Sequence, residues 1–516
     1  MQNRWSLLWA AGVGSAWLGL APEAAAITAE QRFEKLERHI LELERRLEAS
    51  EEENQKLRSN KPAAASTTPE PDVKALDKKV KILERKLEVA DEVAIENAKK
   101  TPKLEAGSNG IRFVSPDNEH VVRLRGSVQA DYKFFMDDNQ TPAGLHNTSN
   151  LADRFELKQA RIWLEGTLWK FLDFKIMPDF GNGRTILADA FIDAHYFHFA
   201  SANFGKQKTP ISLERLQGDA DGTFLERAYP TYLASNRDIG VMLHGEFAKP
   251  GYQTEYGGPV DFKNFFSYQL GVFNGAGDNG SIDTDIDDDK EFAGRLWTHP
   301  FQHGGIAALE GLGIGIAGSW ELPKRAVLVN INSAIGQNRI LDYGQLGTGT
   351  NSLVADGDHY RVYPQAYWYY GPYGLMGEYV LSSQQLLGRR NGQTGRIQQD
   401  NTAWQVQASY VITGEDNTFQ SVKPRQAFNP FNGQWGAWQV AARWSELDID
   451  DDTFVYVNPS RSVSKATAWA LGVNWFLTRN ARLMADYEQT YFDGGAAGGR
   501  DRPTEKVFAT RFQLVF

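Results

Sequence analysis

From Val121 onward, apolar and polar residues alternate with period two. In the first such segment, 121–135, Arg123, Arg125, Ser127, Gln129, Asp131 and Lys133 share one face. Leu124, Gly126, Val128, Ala130, Tyr132 and Phe134 share the other. In the last, 503–516, Phe508, Phe512, Leu514 and Phe516 oppose Ala509, Arg511 and Gln513. This alternation predicts strands with one greasy and one polar face. Between these two lie segments at 155–168, 170–180, 188–197, 199–206, 238–248, 263–274, 290–298, 311–321, 360–370, 373–383, 401–413, 435–447, 466–478 and 481–492. The total of sixteen is even, as a closed bacterial outer-membrane barrel requires. A closed sheet is also the only sheet that crosses a membrane, because it leaves no free edge.

The connections sort by parity. Those after odd strands include 136–154, 207–237, 275–289, 322–359 and 384–400, all long. Those after even strands are mostly short: residue 169, residue 198, 371–372 and 479–480, with 249–262, 299–310 and 414–434 as exceptions. Long loops on one rim and short turns on the other are the outer-membrane pattern. The last strand is expected to pair with the first and seal the barrel, and its terminal aromatic resembles the signal read by outer-membrane assembly machinery. Tryptophans near strand ends, among them Trp163, Trp169, Trp297 and Trp435, can supply interfacial girdles.

Before residue 121 the period is different. Arg4, the apolar run 5–20 and the small residues Ala24, Ala25 and Ala26 predict a signal peptide over 1–26. Phe33, Leu36, Ile40, Leu43 and Leu47 then follow heptad spacing, with Asn54 at an a-type position. After a Pro/Ala/Ser/Thr linker at 59–71, Val73, Leu76, Val80, Leu83, Leu87, Ala90 and Ala94 resume the pattern. This predicts a coiled-coil stalk over 27–100, either associating between chains or folding back as a helical hairpin. Residues 101–120 read as a connector. The fold class is therefore all-β: a sixteen-stranded antiparallel transmembrane β-barrel over 121–516, with an N-terminal α-helical coiled-coil segment.

Composition narrows the function. The 516 residues include no cysteine, which excludes a disulfide framework and thiol chemistry. A net charge of −10 argues against a nucleic-acid partner. Mean hydropathy is −0.46, and no apolar run after the N-terminus nears the ~20 residues of a membrane helix. A barrel of sixteen strands is expected to enclose a water-filled lumen rather than a packed core, and so to conduct solutes.

Several short motifs then carry a resemblance. They are Gln129-Ala130-Asp131-Tyr132, residues 155–161 with Leu164-Glu165-Gly166, and Asp189-Ala190-Phe191-Ile192-Asp193. Further on come Phe204-Gly205-Lys206-Gln207-Lys208, Leu225-Glu226-Arg227, Gly271-Val272-Phe273-Asn274-Gly275 and Leu471-Gly472-Val473-Asn474-Trp475. Taken in order from about residue 121 to 516, the set resembles the phosphate- and polyphosphate-selective porin O and P family of Gram-negative outer membranes. The resemblance implies a homotrimer, a third loop (207–237) folded inward to narrow each pore, and Lys and Arg side chains drawing anions to an arginine-lined eyelet. The eyelet positions of that family fall here on Ser127 and on Lys158-Gln159. Strict alternation places Lys158 on the parity of Ala160 and Ile162.

The candidate anion pathway comprises Arg123, Arg125, Lys158, Arg161, Lys208, Arg215 and Arg227. Guanidinium groups suit it because they bind phosphate oxygens bidentately, and a narrow low-dielectric constriction strengthens their field. The plain alternative pairs these cations with Asp131, Glu165, Asp193 and Glu214. The acidic run 283–289 lacks the Gly and Glu of a calcium loop and reads as a solvated outer loop. No zinc motif, nucleophile elbow or phosphate loop is present, so no catalytic residue, metal or cofactor is expected; counting alone leaves Ser/His/Asn hydrolysis open. His195, beside Asp193 on the polar parity, reads as a lumen residue. Expected partners are small anions such as phosphate or polyphosphate, outer-membrane lipid and lipopolysaccharide, and two further copies of the chain. The competing readings are a differently selective porin, and a barrel that anchors the stalk as a tether to the cell wall.

Overall fold

The computed structural model describes Arg45 and residues 71–136, 151–197, 199–248, 264–284, 288–302, 305–343, 352–390 and 392–516. The expected signal peptide, the first heptad segment and most of the linker lie outside these residues, as do parts of the connections at 136–154, 249–262 and 283–289. Helix α1 (Pro71–Lys100) is continuous over 30 residues. It starts on a proline, which is tolerated in a first helical turn. Asp77 with Lys81 and Glu96 with Lys100 form i,i+4 pairs along it. Its heptad residues Val80, Leu83 and Leu87 are exposed.

The region read as a connector contains a hairpin, β1 (Lys103–Gly107) and β2 (Gly110–Val114), joined by a tight turn in which Gly110 has φ +82°. The barrel begins with β3 (Val121–Met136) and β4 (Arg154–Leu168). It continues through β5 (Leu172–Asp179), β6 (Ile186–Phe197), β7 (Ala200–Gln207), β8 (Asp238–Ala248), β9 (Asn264–Phe273), β10 (Glu291–Thr298) and β11 (Leu312–Glu321). Three short strands follow: β12 (Lys324–Val327), which pairs with the start of β15, and β13 (Ile331–Asn332) and β14 (Arg339–Leu341), which pair only with each other. The wall resumes with β15 (Ser352–Tyr370), β16 (Tyr373–Arg390), β17 (Gln393–Val411), β18 (Ala437–Asp448), β19 (Val463–Phe476), β20 (Ala481–Gly494) and β21 (Glu505–Val515). Every neighbouring pair is antiparallel, β11 pairs directly with β15, and β21 pairs with β3 from Lys506↔Met136 to Val515↔Ser127. The sixteen wall strands thus close on themselves. Where β21 stops, β2 takes over the same edge of β3, from Ile111↔Leu124 to Val114↔Val121.

The expected faces are present and inverted relative to a soluble protein. On β21, Phe508, Phe512 and Leu514 point out and are exposed, while Val507, Ala509, Arg511 and Gln513 point in and are buried. In water such an outer face would be an aggregation surface; in lipid it is the favourable one. Trp163 and Trp297, candidates for the girdle, instead lie inside. Trp297 is 1% exposed, packs on Tyr367 with ring centroids 4.7 Å apart, and lies over Gly313 and Gly315. A Cβ at Gly313 would sit 2.3 Å from the indole, so glycine there makes room for the ring.

Two expectations are corrected. Residues 384–400 are not a loop: β16 and β17 continue in register to Arg390↔Gln393, and residues 322–359 contain β12–β14 and the first half of β15. Polar residues stand on both faces of these stretches (Gln384, Gln385, Arg389, Arg396, Gln398, Gln399), so the sequence shows no clean alternation there, while Gln384, Leu386 and Gln399 form a buried inner face. The lumen, moreover, is not free of a core. Tyr229, Tyr232 and Leu233 from the third loop and Ile331, Ala334, Ile340 and Leu341 from the fifth pack against inward alanines of the wall, such as Ala293, Ala317, Ala403 and Ala466. Inward-folded loops carry apolar residues of their own, and these must be buried somewhere.

The third-loop constriction

The third loop, 208–237, leaves β7 and crosses the lumen. One helical turn, α2 (Leu213–Leu216), is capped by Ser212, whose hydroxyl accepts from the Arg215 N–H at 3.3 Å. Glu378 of β16 anchors that end by accepting from the Ser212 hydroxyl (3.1 Å) and the Leu213 N–H (2.8 Å). The far end is held by arginines of the opposite wall. Arg482 donates to the carbonyls of Ala220 and Gly222 at 3.0 Å each, Arg511 to Leu225 at 2.7 Å, and Arg443 to Glu226 at 2.7 Å. Loop carbonyls that would otherwise be buried without donors thereby acquire charge-assisted ones. The fifth loop packs against the third: Gln337 donates to the Tyr232 hydroxyl (2.7 Å), and the Ile335 N–H reaches Glu488 of β20 (2.7 Å).

Two carboxylates of the third loop gather most of the candidate cations. Asp219 is in direct contact with Arg161 of β4 and with Arg227, and Arg237 and Lys208 lie 3.7 and 3.9 Å away. Arg161 also holds Asp179 and Arg237 holds Asp189, each at 2.7 Å; Lys175 is 3.4 Å from Asp189. Burial by itself would raise the Asp219 pKa, yet the surrounding cations, Arg161 first, hold it well below the usual carboxylate range. Burial pushes the Lys208 ammonium well below its ordinary value, with Asp219 opposing that shift. Glu226 binds Lys158 at 2.5 Å and lies 3.4 Å from Lys133 and 3.9 Å from Arg511; these outweigh burial and hold it at about 2.

Lys158 faces the lumen because of a bulge. Gln129 pairs with Gln159 but Ala130 pairs with Leu157, so Lys158 is the extra residue, and alternation restarts around it. Of the remaining candidates, Arg125 pairs with Glu165 at 3.4 Å and lies over the Trp163 ring, 5.2 Å from its centroid. Arg123 stands opposite Glu165 in the ladder, away from Asp219. Arg215 is buried, donates to the Thr231 carbonyl, and belongs to the loop's own scaffold; burial lowers its pKa to about 10. The expected counter-ions are mostly engaged elsewhere: Asp131 by Arg511, Asp193 by His244 and Glu214 by Arg443. His195 faces Asp173 at 3.3 Å. Sequence reasoning left out Arg237, Lys175, Arg443, Arg482 and Arg511 as site residues. The last three sit on the polar parity of wall strands, which is the available signal. In the acidic run, Asp283 pairs with Lys206 and Asp289 lies 2.7 Å from Lys324.

One constellation resembles hydrolase chemistry. His359 Nε2 is 3.0 Å from the Ser382 hydroxyl, and Nδ1 is 2.7 Å from Glu321. Ser382 is wholly buried, however, and its hydroxyl donates to Asp278 at 2.7 Å, so it offers no nucleophile to a solute.

A closed sixteen-stranded wall with a greasy exterior, narrowed from within by its own third loop over a basic lining, defines the class: an outer-membrane porin. The chain belongs to the phosphate-selective porin O and P family, whose sequence profile matches residues 122–516. Porin O of Pseudomonas aeruginosa is 25% identical over 441 residues, covering 79% of this chain and 91% of its own length. Among solved structures, the outer membrane channel DcaP of Acinetobacter baumannii superposes with a TM-score of 0.46 at 13% identity, over 80% of this chain and 100% of that one. The trimer form of OmpT of Vibrio cholerae superposes with a TM-score of 0.45 at 12% identity, over 77% and 99%.

Proposed function

We propose that this porin passes small anions by passive diffusion, with phosphate and polyphosphate the leading solutes. The observation that carries this is the charge balance of the constriction. Arg161, Lys175, Lys208, Arg227 and Arg237 stand against Asp179, Asp189 and Asp219, five basic groups to three acidic. Lys175, Lys208 and Arg227 keep 27%, 18% and 28% of their side-chain surface exposed, and Arg125 and Lys158 keep 29% and 22%. A partly wetted row of cations along one side of the loop attracts an anion while water keeps it from being trapped. The same row comprises most of the proposed pathway: Arg125, Lys158, Arg161, Lys208 and Arg227, with Arg123 flanking it. The family's description and the Porin O relative support phosphate as the solute. Ser127 and Gln159, without charge at the family's eyelet positions, favour a broader anion preference as the second reading.

The porin acts as a homotrimer in this reading, in contact with outer-membrane lipid and lipopolysaccharide, with its stalk in the periplasm. The exposed heptad stripe of α1 supports self-association of the stalk and a tethering role toward the cell wall. Planar-bilayer reversal potentials in unequal potassium chloride test the channel: an anion-selective sign is expected, followed by block on phosphate titration. A cation-selective sign would overturn the proposal, and anion selectivity without phosphate block would leave the broader preference. Deleting residues 27–100 tests the stalk separately: conductance should persist, while trimer yield or envelope attachment falls.

A further inference from the structure

Asp219 lies where a permeating anion would be bound most strongly. Its two carboxylate oxygens divide the cations between them: Oδ1 faces Arg227 and Lys208, and Oδ2 faces Arg161 and Arg237. This is the arrangement an oxyanion with two or more oxygens on one centre demands, and a single-atom anion such as chloride cannot bridge it. Apart from Asp219, the carboxylates on this set are Asp179 and Asp189, each already held by its own arginine at 2.7 Å. The backbone beside Asp219 is fixed independently, since the Ala220 carbonyl accepts from Arg482 at 3.0 Å and from Gln513 at 2.9 Å.

We infer that Asp219 is a tethered occupant of the pore's oxyanion site, and that a phosphate-like solute passes by exchanging with its carboxylate on Arg161, Arg227 and Arg237. The inference rests on the anion-channel reading and adds a mechanism to it. Tight binding would close a channel; an internal competitor at high effective concentration weakens the solute's hold and speeds its release. Each exchange swaps one set of charge-assisted hydrogen bonds for another of the same kind, so the guanidiniums are not left bare at any step.

The test is Asp219→Asn in planar bilayers, with inorganic phosphate as the probe of chloride current. The amide keeps the size of the side chain but lacks the charge that competes with solute. The half-blocking phosphate concentration should fall at least about tenfold relative to the unaltered channel. Asp221→Asn makes the same change of charge two residues away without touching these arginines, and should shift it by less than about threefold. An unchanged half-block in Asp219→Asn, or an equal shift in both variants, would overturn the inference while leaving anion selectivity in place. A cation-selective parent channel would instead remove the reading beneath it. If the emptied cluster hinders folding of Asp219→Asn, inorganic phosphate should restore the yield of folded barrel and sodium chloride at equal ionic strength should not; failure of that rescue also overturns it.

Discussion

Arg511 of the last strand grips Asp131 of the first through two hydrogen bonds of 2.7 Å each, directly across the seam that closes the barrel. Both side chains are almost wholly buried. Removing one partner strands a buried charge, which costs about 3 kcal/mol where the partner had satisfied it. Arg511→Met and Asp131→Leu should each lower the urea midpoint of the folded barrel by that order. The double variant should lose less than the sum, because the stranded charge disappears. Additive losses in urea-gradient unfolding would show that the pair does not act as a unit.

Phe516 completes the same seam. Its backbone exchanges two hydrogen bonds with Gly126, at 2.8 and 2.9 Å, and its ring lies where a Cβ at Gly126 would come within 2.5 Å. Phe516→Asp removes the ring and puts a charge on the lipid-facing parity. Gly126→Leu drives a side chain into it. Both should reduce the yield of heat-modifiable folded barrel several-fold, with ion selectivity unchanged in what does assemble. Normal yield from either would contradict the packing.

Selectivity should follow the constriction. Lys208→Gln and Arg227→Gln each remove a partly exposed basic group facing Asp219. The zero-current potential in a potassium chloride gradient should move stepwise toward the cation side, furthest in the double variant. Arg123→Gln, away from Asp219, should move it least.

A pH dependence is expected from Asp221. Burial pushes its pKa up to about 6, Asp219 adding to the shift while Arg482, Lys208 and Arg125 oppose it. A carboxyl whose pKa rises on folding adds stability below its unfolded value, and that contribution is lost as pH rises through about 6. Between pH 5 and 7 the loop therefore gains a negative charge beside the anion path. Anion-over-cation permeability should fall across that interval and level off above it, and Asp221→Asn should abolish the step. A flat profile in the unaltered channel would count against it.

The barrel was legible because membrane solvation imposes period two on every strand: Phe508, Phe512 and Leu514 had to face lipid, so strand number and closing pair could be read from the sequence. The long β16–β17 hairpin was not, since polar residues such as Gln384, Gln385, Gln398 and Gln399 stand on both of its faces and mask the alternation. The polar lumen parity of Arg161 and the cationic residues of the third loop were also plain in the chain.

What the chain could not display is which acid each cation meets. Lys158 reads as lipid-facing by strict counting; a single bulge at Lys158 itself, opposite Gln129 and Ala130 of the partner strand, turns it inward onto Glu226. The meeting of Arg161, Lys208, Arg227 and Arg237 on Asp219 depends on how a thirty-residue loop crosses the lumen. That path is fixed by Glu378, Arg443, Arg482 and Arg511 on strands far away in sequence. Periodicity is set locally by the solvent each face meets, so sequence determined the wall. Charge pairing inside a closed barrel is set by distance through space, so only the tertiary structure decided the pore.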